Sequence, residues 1–291
     1  MAESADGNDD VAFKLYRYDP SMAAAVIFTI LFMAITGLHL YQMLRTKTWF
    51  LICFVIGGFM QFIGYIGRAG SAHETPDWSL TPFIIQNLFL LISPALFAAS
   101  IYMILGRIIL ATGGENCSPI RRAWLTKIFV IGDVLSFALQ GAGKFSLGGS
   151  MMAAGSLELL HNGERVVMIG LVVQVIFFSL FAVAAALFHT RLLQNLSTKA
   201  LASNIPWERY LCILYIASGL IMVRSVFRLI EYAQGNAGYL ISHEVYMYLF
   251  DSVLMLLTMA LFAWEHPSQL NAKLKGGGTA VKRGIRLYWE S

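Results

Sequence analysis

Seven apolar stretches, each about the length that a helix needs to cross a bilayer, set the possible architectures of this chain. They fall at about 21–44, 49–68, 82–109, 123–144, 165–189, 209–232 and 243–264 of the 291 residues. In hydrocarbon, only helices or closed barrels satisfy every backbone polar group, and runs of this length are helical. The expected fold class is therefore all-α, a polytopic membrane protein with a seven-helix transmembrane bundle. Charge supports this: 57% of the residues are hydrophobic and 13% charged, against about 25% charged in soluble domains. The third run contains Pro94, where a kink or tilt is expected.

The distribution of Lys and Arg sets the expected orientation. With the N-terminus outside, fourteen of the 21 basic residues fall on the cytosolic side, among them Arg121, Arg122, Lys282 and Arg283. Five fall outside (Lys14, Arg17, Arg68, Lys144, Arg165), and Arg224 and Arg228 lie within a span. The division expected is an extracellular tail over 1–20, the bundle over 21–267 and a basic cytosolic tail over 268–291. The acidic N-terminus (Glu3, Asp6, Asp9, Asp10) lacks the basic region of a cleaved signal peptide. The net charge of +4 reads as a topology signal, and no nucleic-acid partner is expected. Three cysteines without CxxC spacing (Cys53, Cys117, Cys212) give neither a disulfide framework nor a zinc knuckle.

Polar groups inside spans are costly and mark sites or pathways. The second span carries Gln61, Tyr65 and Arg68 on one helix face; the fourth carries Asp133, Ser136 and Gln140. The sixth carries Arg224, Arg228 and Glu231 with Tyr232 beside them, and the seventh Glu244, Tyr248 and Asp251. At 1.5 Å per residue, most of these groups fall in the outer half of the membrane, with Asp251, Arg224 and Asp133 nearer the middle. Four stripes at matching depth predict a polar cavity open toward the outer leaflet. A structural reading stands beside this one: Arg228 and Glu231 form one i, i+3 ion pair, and Arg224 locks the bundle through Asp251 or Asp133.

Other chemistry is poorly supported. His39, His189 and His266 sit near the cytosolic ends of spans, but no helix carries a ligand pair such as HExxH. No metal and no cofactor are expected, nor a Ser-His-Asp arrangement. No GxxxxGK[ST] motif occurs, so any transport would not draw on ATP hydrolysis by this chain. The small residues Gly57, Gly58, Gly64 and Gly67 provide faces for close helix packing.

Several ordered motifs carry a family resemblance: Tyr18-Asp-Pro-Ser21, His39, Ile63-Gly-Tyr-Ile-Gly-Arg68, and the run from Pro94 to Arg107. Gly132-Asp133 with Gln140-Gly141, Arg224-Ser-Val-Phe-Arg-Leu-Ile-Glu-Tyr232, Gln234-Gly235, Glu244, Tyr248, Asp251 and His266-Pro267 complete the set. The chain resembles the fungal RTA1-like, or lipid-translocating exporter, family over nearly its whole length. One departure is visible, since the family often has Glu where Gln61 stands. The resemblance implies a seven-span protein, stress-induced and at the plasma membrane in several members. It is linked to export of sphingoid long-chain bases, resistance to toxic amphiphiles, and porphyrin or haem movement. The partners implied are membrane lipids and an amphiphilic small molecule such as a sphingoid base, with a homodimer left open. A seven-helix lipid sensor, an intramembrane lipid-modifying enzyme and a porphyrin- or haem-binding transporter are the alternatives. The site residues expected to meet the ligand are Gln61, Tyr65, Arg68, Asp133, Gln140, Arg224, Arg228, Glu231, Tyr232, Glu244, Tyr248 and Asp251.

Overall fold

A Ser at position 21 opens the first helix: its hydroxyl accepts the Ala24 N–H at 3.4 Å, satisfying one of the donors that a helix N-terminus leaves unpaired. In the computed structural model, which describes residues 16–152, 157–194, 207–235 and 238–274, this helix, α1, runs Met22–Thr46. It ends where Lys47 takes a left-handed conformation (φ 53°). One short 3₁₀ turn, Trp49–Leu51, leads into α2, Ile52–His73. Then follow α3, Leu80–Thr112; α4, Arg122–Met152; α5, Leu157–Gln194; α6, Trp207–Ala233; and α7, Glu244–Trp264. A short α8, Ser268–Leu274, closes the described chain. All seven expected spans are helices long and apolar enough to cross a membrane, and there is no strand among the described residues. The observed helices overrun the apolar runs. α2 continues to His73 and α3 reaches from Leu80 to Thr112, because Ala, Ser and Thr can extend a helix without being apolar enough to extend a hydropathy run.

The helices differ sharply in how much of them is inside. Two thirds (67%) of the most apolar part of α3 is buried, against 22% for α1. α3 is thus the central helix, packed against α2, α4, α6 and α8, and α1 lies at the edge against α2 and α7. The core around α3 is rich in rings, with Phe54, Phe97, Tyr102, Phe129, Phe181 and Phe188 essentially sealed. Pro94 lies inside α3. The hydroxyl of its neighbour Ser93 donates to the Gly57 carbonyl of α2 at 2.8 Å. Large exposed apolar side chains on α1, including Ile27, Ile30 and Met33, fit a surface that faces lipid.

Two of the glycines explain how α2 and α3 come so close. A Cβ on Gly57 would lie 2.7 Å from the Phe97 ring, and one on Gly67 would lie 3.0 Å from the Gln86 nitrogen and 3.1 Å from the Pro82 oxygen. The Gly67 contact is with backbone, which cannot rotate away. Gly67→Val is therefore expected to lower stability by about 1–3 kcal/mol, the usual range for overpacking. Gly37→Ala, with nothing within 4 Å of the added carbon, is expected to change it little. Thermal unfolding of both variants in detergent checks this pair.

α7 is not a uniform α-helix. Glu244–Met247 and Leu254–Trp264 are α-helical, and Tyr248–Val253 between them forms a π-helical turn. Such turns are rare and cluster at functional positions. Asp251 and Ser252 are buried within it. α8 seats Leu270 in the core, and Asn271 accepts from Arg107 of α3 at 3.2 Å. The expected basic tail therefore begins as part of the packed bundle, and residues 275–291 lie outside the described ones.

Candidate functional site

The last turns of α2, the start of α7 and residues 18–21 are joined by one set of hydrogen bonds. Arg68 is fully buried. Its Nε donates to the Tyr248 hydroxyl at 2.8 Å, and one terminal nitrogen donates to Glu244 Oε1 at 2.6 Å and to the Tyr18 hydroxyl at 3.1 Å. The Tyr248 and Tyr18 rings lie 5.0 and 5.6 Å from the guanidinium carbon, within cation–π range. The other terminal nitrogen of Arg68 is buried without an acceptor among the described residues. Glu244 also accepts the Ser21 N–H at 2.8 Å, so the start of α1 is tied to the start of α7 through one carboxylate.

The segment before α1 works as a strap. Tyr16 is buried, and its hydroxyl meets Ser71 of α2 at 3.1 Å and Gln86 of α3 at 2.7 Å. Its ring packs edge-on against Trp78 and Phe83. Burial pushes the Tyr16 hydroxyl up to about 12, so it remains a neutral hydrogen-bond donor throughout the physiological range.

One layer deeper, Tyr65 stacks on Phe28 and Phe32 at 5.6 and 5.3 Å and hydrogen-bonds through its hydroxyl to Ser252 in the π turn of α7. Arg224 of α6 donates from Nε to Asp251 at 2.6 Å and from a terminal nitrogen to the Leu90 carbonyl of α3 at 3.0 Å. Arg228 pairs with Glu231 at 2.8 Å, and its guanidinium lies 5.5 Å from the Tyr232 ring. Of the two partners proposed for Arg224, the structure selects Asp251. Gln61 is buried with neither amide atom hydrogen-bonded to protein among the described residues.

The α4 stripe goes elsewhere. Gln140 donates to Gln174 of α5 at 3.1 Å and to Ser136 at 2.8 Å, and Ser136 donates to the Gly170 carbonyl at 2.8 Å. Asp133 lies beside Tyr102 of α3. α4 packs between α3 and α5, so its polar face is used against those two helices. Nine of the twelve expected site residues (Gln61, Tyr65, Arg68, Arg224, Arg228, Glu231, Asp133, Gln140, Asp251) are buried, and the charged ones other than Asp133 are matched Arg–carboxylate pairs. Tyr232, Glu244 and Tyr248 are partly exposed, with the Glu244 side chain at 17%. It is the most accessible acid of the three pairs.

Comparison with known proteins now has a geometry to refer to. Residues 54–273, three quarters of the chain, match the family described as RTA1 like protein. The chain belongs to the RTA1-like family. It is 36% identical to protoporphyrin uptake protein 1 of Saccharomyces cerevisiae over 87% of this chain and 92% of that one. A lipid-translocating exporter-like protein of Leptosphaeria maculans is 28% identical, over 87% of this chain and 51% of its own. The sphingoid long-chain base transporter RSB1 of Saccharomyces cerevisiae is 22% identical, over 90% and 75% respectively. No solved structure matches significantly.

This RTA1-like chain uses several groups that stripe-reading passed over. Tyr16, Tyr18 and Ser21 precede the first span, where no helical spacing applies. Ser252 neighbours Asp251 but reaches Tyr65 because of the π turn. Gln174 forms no polar stripe within its span, and its partner is visible only once α4 and α5 are paired.

Proposed function

We propose that this RTA1-like protein binds an amphiphilic lipid of the sphingoid long-chain base class at the strapped cluster and moves it across the bilayer without hydrolysing ATP. The N-terminus is outside and the protein acts at the plasma membrane. The observation that carries this reading is Arg68: buried, bonded to Tyr18, Tyr248 and Glu244, and keeping one nitrogen without an acceptor among the described residues. A head group with both an ammonium and hydroxyls suits such a site. The ammonium takes Glu244, the accessible acid, and a hydroxyl oxygen accepts from the spare Arg68 nitrogen. The apolar faces of α1 and α7 accommodate the tail. The names of the relatives, a sphingoid base transporter and a lipid-translocating exporter-like protein among them, support the same class. Membership of the family gives the multi-pass membrane setting.

The test is purified protein in liposomes loaded with a fluorescent sphingoid base and no nucleotide. Faster transbilayer movement than in empty liposomes, with the lipid unmodified by mass spectrometry, is the expected result. Binding with no movement would make the protein a sensor, and a modified lipid would make it an enzyme.

A second reading has one specific observation behind it, the 36% identity to a protein named for protoporphyrin uptake. The same ion pairs could open the other way, with the carboxylates of a porphyrin taking Arg68 or Arg228. A saturable Soret shift on adding protoporphyrin, abolished by Arg68→Ala and absent with the sphingoid base, favours that ligand.

A further inference from the structure

Three acids at the spans have a guanidinium partner: Asp251 has Arg224, Glu231 has Arg228 and Glu244 has Arg68, at 2.6, 2.8 and 2.6 Å. Asp133 has none. It is 4% exposed, and neither carboxylate oxygen makes a hydrogen bond of good geometry to a protein group among the described residues. Its polar neighbour across the α3–α4 interface is the sealed Tyr102 hydroxyl, an uncharged group whose own polar interaction is with Asp133. The rest of that interface is aromatic. Phe129 lies one turn before Asp133, and the rings of Phe129, Phe178 and Phe181 lie 5.5, 6.2 and 4.5 Å from that of Tyr102. Counted from Arg122 at the start of α4, Asp133 lies ~16 Å along the helix, near the middle of a ~30 Å hydrocarbon layer.

Among the described residues, no basic group of the surrounding helices pairs with it. On α3, Arg107 stacks on Phe50 at 3.9 Å and bonds Asn271. On α4, Lys127 lies over the Trp124 ring at 5.6 Å, and Arg122 is 3.6 Å from Glu115. On α5, Gln174 is committed to Gln140; Glu164 and Arg165 lie toward one end of that helix and His189 and Arg191 toward the other. An isolated carboxylate at this depth costs several kcal/mol, so its charge must be balanced by something other than the cations of the described residues. A metal cation asks for several oxygen ligands, whereas the site offers one carboxylate and one phenol among rings. A proton asks for one oxygen.

We propose that Asp133 is a proton-binding site at the middle of the bundle, separate from the strapped cluster and independent of which amphiphile that cluster binds. One proton adds to a carboxylate oxygen and leaves from the same atom, and the Tyr102 oxygen is the acceptor for the acid O–H.

Infrared spectroscopy of the protein in liposomes at neutral pH tests this directly. The wild type is expected to show a carboxylic-acid C=O stretch that Asp133→Asn lacks and that is unchanged when sodium is replaced by choline. Tyr102→Phe, which keeps the acid but removes its polar neighbour, is expected to retain the band at a shifted frequency. It gives the readout if Asp133→Asn does not fold. A band that neither variant alters, or one that appears only when sodium is withdrawn, overturns the assignment. Neither outcome bears on lipid movement, which the liposome transport assay reads separately.

Discussion

Arg224→Met is expected to be the most destabilising single substitution in the bundle, by about 3–5 kcal/mol, because it leaves a buried charge with no counter-charge. Asp251 is 2% exposed, and its Oδ1 is bonded to the arginine at 2.6 Å. Removing the arginine also deprives the Leu90 carbonyl of its donor, and so removes a polar link from α6 to α3 as well as to α7. The decisive comparison is the double variant Arg224→Met, Asp251→Leu. Replacing both partners of a buried pair by apolar groups is often neutral or stabilising, so the double variant should recover most of the stability lost by the single one. Thermal unfolding in detergent reads both. If the recovered variant also transports, the pair is a structural lock; if it folds and does not transport, the pair belongs to the mechanism. A single variant as stable as the wild type would contradict the buried geometry.

The second large effect is on activity. Arg68→Ala is expected to reduce the initial rate of labelled lipid efflux about 30-fold or more, since truncating one member of a buried, hydrogen-bonded charge pair costs 2–5 kcal/mol and each 1.4 kcal/mol is about tenfold. Arg68 joins four things at once: Tyr18 of the strap, Tyr248 and Glu244 of α7, and its own position on α2. Arg68→Lys keeps the charge but replaces a planar fork by a point donor, so an intermediate loss of about tenfold is expected. Efflux normalised to the amount of protein at the cell surface separates this from loss of expression. An unchanged rate for Arg68→Ala would remove the strapped cluster from the mechanism.

The spans were legible because a bilayer imposes one length on every helix, and apolar runs report that length directly. Arg228 and Glu231 were legible for a related reason: an i, i+3 pair depends only on the pitch of one helix. Asp251 with Arg224 was visible as one of two choices, and depth alone could not decide between Asp251 and Asp133. The choice rests on lateral order, on α7 and α3 flanking α6 while α4 turns to α3 and α5. The expectation of four converging stripes met the same obstacle. Matching depth brings groups to one level of the membrane, but the neighbours around α4 determine that Gln140 meets Gln174. The strap was legible only as the motif from Tyr18 to Ser21, because Tyr16 and Tyr18 lie before the first long apolar run, where neither period nor hydropathy carries information.

The π turn of α7 has a bearing on how this lineage can vary. A π turn holds one residue more than the α-helical turn it replaces. Above it, Glu244 keeps its phase toward Arg68; below it, the Met259 carbonyl keeps its phase toward His39 at 2.9 Å. The extra residue is absorbed between two anchors, so a one-residue deletion within Tyr248–Val253 would leave both anchors aligned and convert the turn to plain α-helix. Asp251 and Ser252 alone would change the direction in which they face. A gap at this point in a related sequence would therefore mark a protein that keeps the scaffold and rewires its interior.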